Sequence, residues 1–177
     1  PQSEPQSDVY KDRWLTAMNS LLVENIVDSL YHQSIKSDKV ALDDILIRIT
    51  SEHDTFEPWV SLKRGQPSHF WTHVYLLALM RPSEVTILQK LTVTESSTEL
   101  TAWFLFCRLF LRPRKAFEIV RASVEKRAEV VFLGQLLSVH QSLHGLFMAY
   151  KLVGLVMPEI ELRDARWILF QLDQLLP

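Results

Sequence analysis

Apolar residues recur three and four apart along almost the whole chain, and prolines rather than glycines interrupt the pattern. After Asp8, a natural N-cap, Trp14, Met18, Leu22, Ile26 and Leu30 fall four apart. They predict one apolar stripe along a helix of about five or six turns. Leu42, Ile45, Leu46 and Ile49 repeat the pattern, with Asp43, Asp44 and Arg48 off the stripe. Residues 53–67 (HDTFEPWVSLKRGQP) carry Pro58, Gly65 and Pro67 and predict the longest irregular connection.

From Ser68 the predicted helices follow closely. Ser68 caps one that runs through Met80. Arg81-Pro82 breaks it, with Pro82 expected in the first turn of the next helix, to about Leu91. Ser96 and Glu99 have capping-box spacing and open a helix through Leu111. Arg112-Pro113 breaks and restarts the chain, and a long helical stretch is expected to about Gly154, interrupted near Gly134 or Gly145. After Met157-Pro158, Leu162, Ala165, Leu169, Leu172 and Leu176 mark a last helix.

With only four glycines and no sustained alternation, the fold class is all-α. We expect about seven helices in antiparallel hairpins, forming either a HEAT-like α-solenoid or an irregular helical bundle. An internal echo favours the solenoid. Residues 70–91 and 102–120 each read as Trp, apolar helix, Arg-Pro and amphipathic helix, and 144–162 is a looser third copy. Any proline-broken bundle would leave a similar trace. At 177 residues the chain suits one domain over 8–177, with the polar 1–7 expected to be the remnant of a linker from a longer protein. The lone Cys107 rules out an internal disulfide and suits a reducing compartment, nuclear or cytoplasmic.

WFLFCRLFL (103–111) is apolar almost all round, too short to span a bilayer, and so expected to be a central buried helix. The run from Val130 to Met157 is the best membrane candidate, but Gln135, His140, Gln141, His144 and Lys151 punctuate it, and no membrane span is expected.

Nothing in the sequence asks for catalysis. There is no phosphate loop, dinucleotide fingerprint, nucleophile elbow or HExxH. We expect no catalytic residue, no cofactor and no enzymatic activity. Cys107 reads as a buried structural thiol, and the adjacent Asp43 and Asp44 as a solvated face. Two histidine pairs, His69/His73 and His140/His144, are each four apart and share a helix face. If the two faces met, four nitrogens would converge on a metal ion. The plainer reading makes both pairs wet or hydrogen-bonded edges of mostly buried helices. Lys151, three turns beyond His140, opposes a cation there.

Binding is the remaining class. From Arg108 to Arg127, seven basic residues (Arg108, Arg112, Arg114, Lys115, Arg121, Lys126, Arg127) face two acids, although the whole chain carries a net charge of −2. Arg112, Arg114 and Lys115 at a helix entry are candidates to receive an acidic segment. The 108–127 segment is alternatively a nucleic-acid surface, or a solvated face with Glu118 and Glu125 as local partners. In the loop FEPWVSLKRG (56–65), Trp59 with Lys63 and Arg64 has the composition of an interaction hot spot. The same loop could instead tuck Phe56 and Trp59 under the domain as a lid. The expected function is a non-enzymatic scaffold or adaptor that takes a helical or acidic segment of a protein partner. Nucleic-acid association and a four-histidine metal site are the alternatives.

Overall fold

The structure, a computed structural model, describes residues 8–37, 39–60 and 65–176. In chain order these form a 3₁₀ turn (Trp14–Ala17), α1 (Ser20–Asp28), α2 (Leu30–Ser37), α3 (Leu42–Ser51), α4 (His69–Met80), α5 (Glu84–Val93), α6 (Ser97–Phe110), α7 (Pro113–Ser123), β1 (Glu129–Phe132), β2 (Gln135–Ser138), α8 (Val139–Met148), β3 (Lys151–Leu152), β4 (Leu155–Val156) and α9 (Leu162–Asp173). The two strand pairs are isolated antiparallel hairpins, and the architecture is an irregular all-α bundle.

α6 is its axis. Apolar side chains surround this helix, so no face can be left to water, and every residue from Leu100 to Phe110 is buried. α3, α4, α5, α7, α8, β1 and the 3₁₀ turn all pack against it. Ser96 accepts the Glu99 N–H at 3.2 Å, as its spacing predicts. The return bond of a capping box is replaced: the Glu99 carboxylate accepts from Thr94 Oγ1 and from Trp103 Nε1.

Several expectations need correction. The predicted first helix is three elements, because Asn19 and Ser29 act as caps inside it. The Asn19 side chain accepts the Leu22 N–H at 3.1 Å, and Ser29 Oγ accepts that of His32 at 3.1 Å. Met18, Leu22 and Ile26 are buried as expected, but Leu30 is 84% exposed. Pro82 lies outside α5. Arg81, left-handed at φ 48, closes α4, and Ser83 is the cap that starts α5. The stretch expected to stay helical to Gly154 contains both hairpins, each turning on two residues of positive φ: Leu133-Gly134 and Val153-Gly154. Gly145 lies inside α8 and interrupts nothing. On α9 the buried positions are Ile168 and Leu172, while Leu162 and Leu169, and Leu176 beyond its end, are exposed.

The internal echo survives only as stacking of like elements, α4 on α6 and α5 on α7. α4 does not lie along α5 as a hairpin partner, and the third copy contains the β3–β4 turn. The solenoid alternative gives way to the irregular bundle.

Both arginine–proline steps hold the N-terminal segment. Tyr10 bridges Leu111, with Lys11 N–H donating to Phe110 O at 3.0 Å and Arg112 N–H to Val9 O at 2.8 Å. The Tyr10 hydroxyl donates to Pro82 O at 2.6 Å. The Arg81 guanidinium lies over the rings of Tyr10 and Trp14 and pairs with Asp8, which therefore caps no helix. Among the described residues no helix is long and apolar enough to cross a membrane.

Candidate partner-binding site

α7 begins with Pro113 in its first turn and an extended Arg112 before it, while α9 begins at Leu162. The two helix starts flank a cleft of about 480 Å³ lined by Arg112, Pro113, Arg114, Lys115, Arg163 and Asp164. Neither start has a side-chain cap, so both present free backbone N–H groups and the positive end of a helix dipole. Four cations and one carboxylate make the cleft electropositive.

The cations differ in what they already hold. Arg112 is exposed; its Nε donates to Tyr10 O at 3.1 Å, and Asp12 stands 3.9 Å from its guanidinium. Arg114 donates to Asp164 at 2.8 Å and lies 5.2 Å above the Trp167 ring. Lys115 lies between Glu84 at 3.7 Å and Glu118 at 3.6 Å. Arg163 is exposed and makes no ion pair among the described residues. Sequence reasoning missed Arg163, because only the packing of α9 on α7 brings it to the other three.

The rest of the basic segment does not form one continuous face. Arg121 donates to Gln171 Oε1 at 3.1 Å, and Arg127 to Thr94 O at 2.8 Å. Arg108 is 5% exposed and reaches from α6 to the end of α8 and the segment before α9. Its Nε donates to Leu146 O at 3.2 Å and its Nη2 to Pro158 O at 2.7 Å. Burial pulls its pKa down to about 10. Cys107 beside it is fully buried, and burial pushes its thiol well above the ordinary range, as a structural thiol requires.

Trp59 is half-buried against the core, where its backbone bridges Pro67. Phe56 meets Phe70 edge-on at 5.1 Å, and Phe56 O accepts the Trp71 indole N–H at 2.7 Å. The loop thus packs as a lid. Lys63 and Arg64, its two candidate cations, lie outside the described residues.

The histidine pairs do not meet. Among the described residues no three His, Cys, Asp or Glu side chains converge as a metal-ligand set. His140 and His144 lie on a wet edge of α8. His69 stacks on Tyr31, with ring centroids 3.7 Å apart. His73 is fully buried, with Nε2 2.8 Å from the Tyr31 hydroxyl and 3.9 Å from Glu52. Tyr31 also bonds to Glu52, and that bond holds the carboxyl below its usual range despite burial. Burial drops the His73 pKa to about 4, with Glu52 opposing the fall. No sequence spacing points to Tyr31 or Glu52, since neither shares a helix with the histidines.

No curated protein matches the chain. Among solved structures, the fold is similar to a chain in the crystal structure of the Snu23-Prp38-MFAP1(217-258) complex of Chaetomium thermophilum. The TM-score is 0.65 at 20% identity, over 93% of this chain and 85% of that one. The model of the PRP38 family matches residues 8–168. With 8–168 accounted for by that match, the chain belongs to the PRP38 family.

Proposed function

We propose that the chain is a non-enzymatic protein-interaction domain, a scaffold or adaptor of a larger nuclear assembly, and that it receives a helical or acidic segment of a partner protein. The observation that carries the reading is the setting of its structural relative, whose crystal holds Prp38 with Snu23 and with residues 217–258 of MFAP1. The cleft between α7 and α9 supplies a site with matching chemistry. Arg163 is its unpaired cation among the described residues and Arg112 an exposed one with only the loose Asp12 contact, while Arg114 and Lys115, more closely engaged, contribute field rather than new bonds. Exposed ion pairs contribute roughly 0–1 kcal/mol each, so the cleft orients the partner and apolar burial elsewhere holds it.

The test is affinity capture of the chain from cell lysate with and without nuclease, repeated with Arg112→Glu/Arg163→Glu. This pair leaves the Arg114–Asp164–Trp167 packing intact, unlike reversal of Arg112, Arg114 and Lys115 together. The expected result is a discrete protein that survives nuclease and whose affinity falls at least about tenfold in the double variant. Unchanged binding would remove the cleft as the site, and recovery of nuclease-sensitive material alone would replace a protein partner with nucleic acid.

A further inference from the structure

A second surface lies beyond the cleft. The end of α8, the β3–β4 turn and the approach to α9 enclose a groove of about 630 Å³. Phe147, Met148, Met157 and Ile160 line it, and Tyr150 and Val156 stand at its edge, 72% and 53% exposed. Arg108 reaches the same lining from α6. Two of its nitrogens hold carbonyls: that of Leu146, near the C-terminal end of α8 where a cation suits the helix dipole, and that of Pro158 on the approach to α9. The third, Nη1, is buried without a hydrogen-bond partner, and among the described residues no carboxylate pairs with the guanidinium. Glu159, the one acid of the lining, is exposed and makes no ion pair with it.

A buried charge normally has a counter-charge, because desolvation is costly without one. Holding α8 and the approach to α9 explains two nitrogens of Arg108 and leaves the third unexplained. Apolar walls, an exposed aromatic at the edge and an unpaired guanidinium together select one kind of occupant. We infer that the groove beside Arg108 docks a partner segment that sets one carboxylate side chain between apolar ones, the carboxylate reaching Arg108. This rests on the protein-interaction reading above and gives it the apolar anchor that the basic cleft lacks.

The test is selection of displayed random dodecapeptides on the 177-residue chain, with Val156→Asp, a change at an exposed edge position, kept out of the selection and used only in the titrations. Recovered peptides are then titrated as their Glu (or Asp) and Gln (or Asn) forms. The expected peptides carry an acid flanked by apolar residues. Amidation of that acid weakens binding at least about tenfold on the wild-type chain, and has no effect on Arg108→Met once its thermal melt shows it folded. Should Arg108→Met fail to fold, Val156→Asp still decides, and an at least tenfold loss is expected there. Amidation that costs less than about twofold, or an absence of enriched peptides, overturns the proposal. Peptides weakened by Arg112→Glu/Arg163→Glu but not by Val156→Asp also overturn it while leaving the adaptor reading standing. Lysate capture that yields only nucleic acid sinks the adaptor reading whatever the peptides do.

Discussion

Arg108 and Arg112 stand one helical turn apart and end in opposite surroundings. Arg112 lies past the end of α6, exposed, in a cleft where Arg114 and Lys115 already have acids. Arg108 lies inside α6, whose whole circumference is buried, and it holds carbonyls but no acid. A count of charges along the segment treats the two alike. Their position relative to the end of a buried helix makes one a surface cation and the other an interior one. On the proposed reading the cleft is the steering surface and the groove the desolvated contact.

The largest test of this contrast is Arg108→Ala against Arg112→Ala. The first leaves two carbonyls without their charged donor and a void beside α8, and should cost about 3 kcal/mol in urea unfolding. The second should cost less than about 1 kcal/mol. Equal costs would erase the distinction between the two arginines.

His73 sharpens it, as a second interior base with an unpaired buried nitrogen, Nδ1. Unlike arginine, it can stay neutral. Its folded pKa of about 4 lies below the ordinary histidine value of about 6.5, so the unfolded chain takes the proton first. Stability should therefore fall as pH drops through that window, by about 2 kcal/mol between about pH 8 and about pH 5. His73→Gln should flatten the curve. A variant as pH-dependent as the wild type would assign the effect to His32 and His53, whose pKa values burial also lowers.

Surface pairs should matter less. Asp164→Asn, which removes the charge opposite Arg114 but keeps an acceptor oxygen, should cost at most about 1 kcal/mol, and the cost should shrink at high salt. Lys115→Gln should change the unfolding free energy least, by under about 0.5 kcal/mol. A larger loss would make the cleft a structural ion network rather than a steering surface.

Legibility in the sequence followed the range of the interactions involved. Ser68, Ser96 and Arg112-Pro113 act on their own neighbours, and the starts of α4, α6 and α7 were readable from them. Asn19 and Ser29 were equally local signals, but a four-residue apolar repeat across them outweighed two caps. The hairpins were hidden for another reason. Leu133 and Val153 adopt left-handed conformations that such side chains rarely take, so no Asn-Gly or Asp-Gly marked the turns. At the candidate site, Arg112, Arg114 and Lys115 were visible as neighbours, while Arg163 joins them only through packing. The burial of Arg108 was implicit in WFLFCRLFL, a stretch that had to be central, yet the count of basic residues placed it on the surface.

The segment from Asp8 to Trp14 seats on both arginine–proline steps, and its contact with Arg112 joins residues 102 positions apart. On a ribosome that segment is made before either step, and its seat is complete only when Arg112 has emerged. Until then only the Arg81-Pro82 half of the seat, against the rings of Tyr10 and Trp14, is available to it. The first described segment to be synthesised is thus among the last to be fully seated, and its contacts raise the contact order of the helical chain.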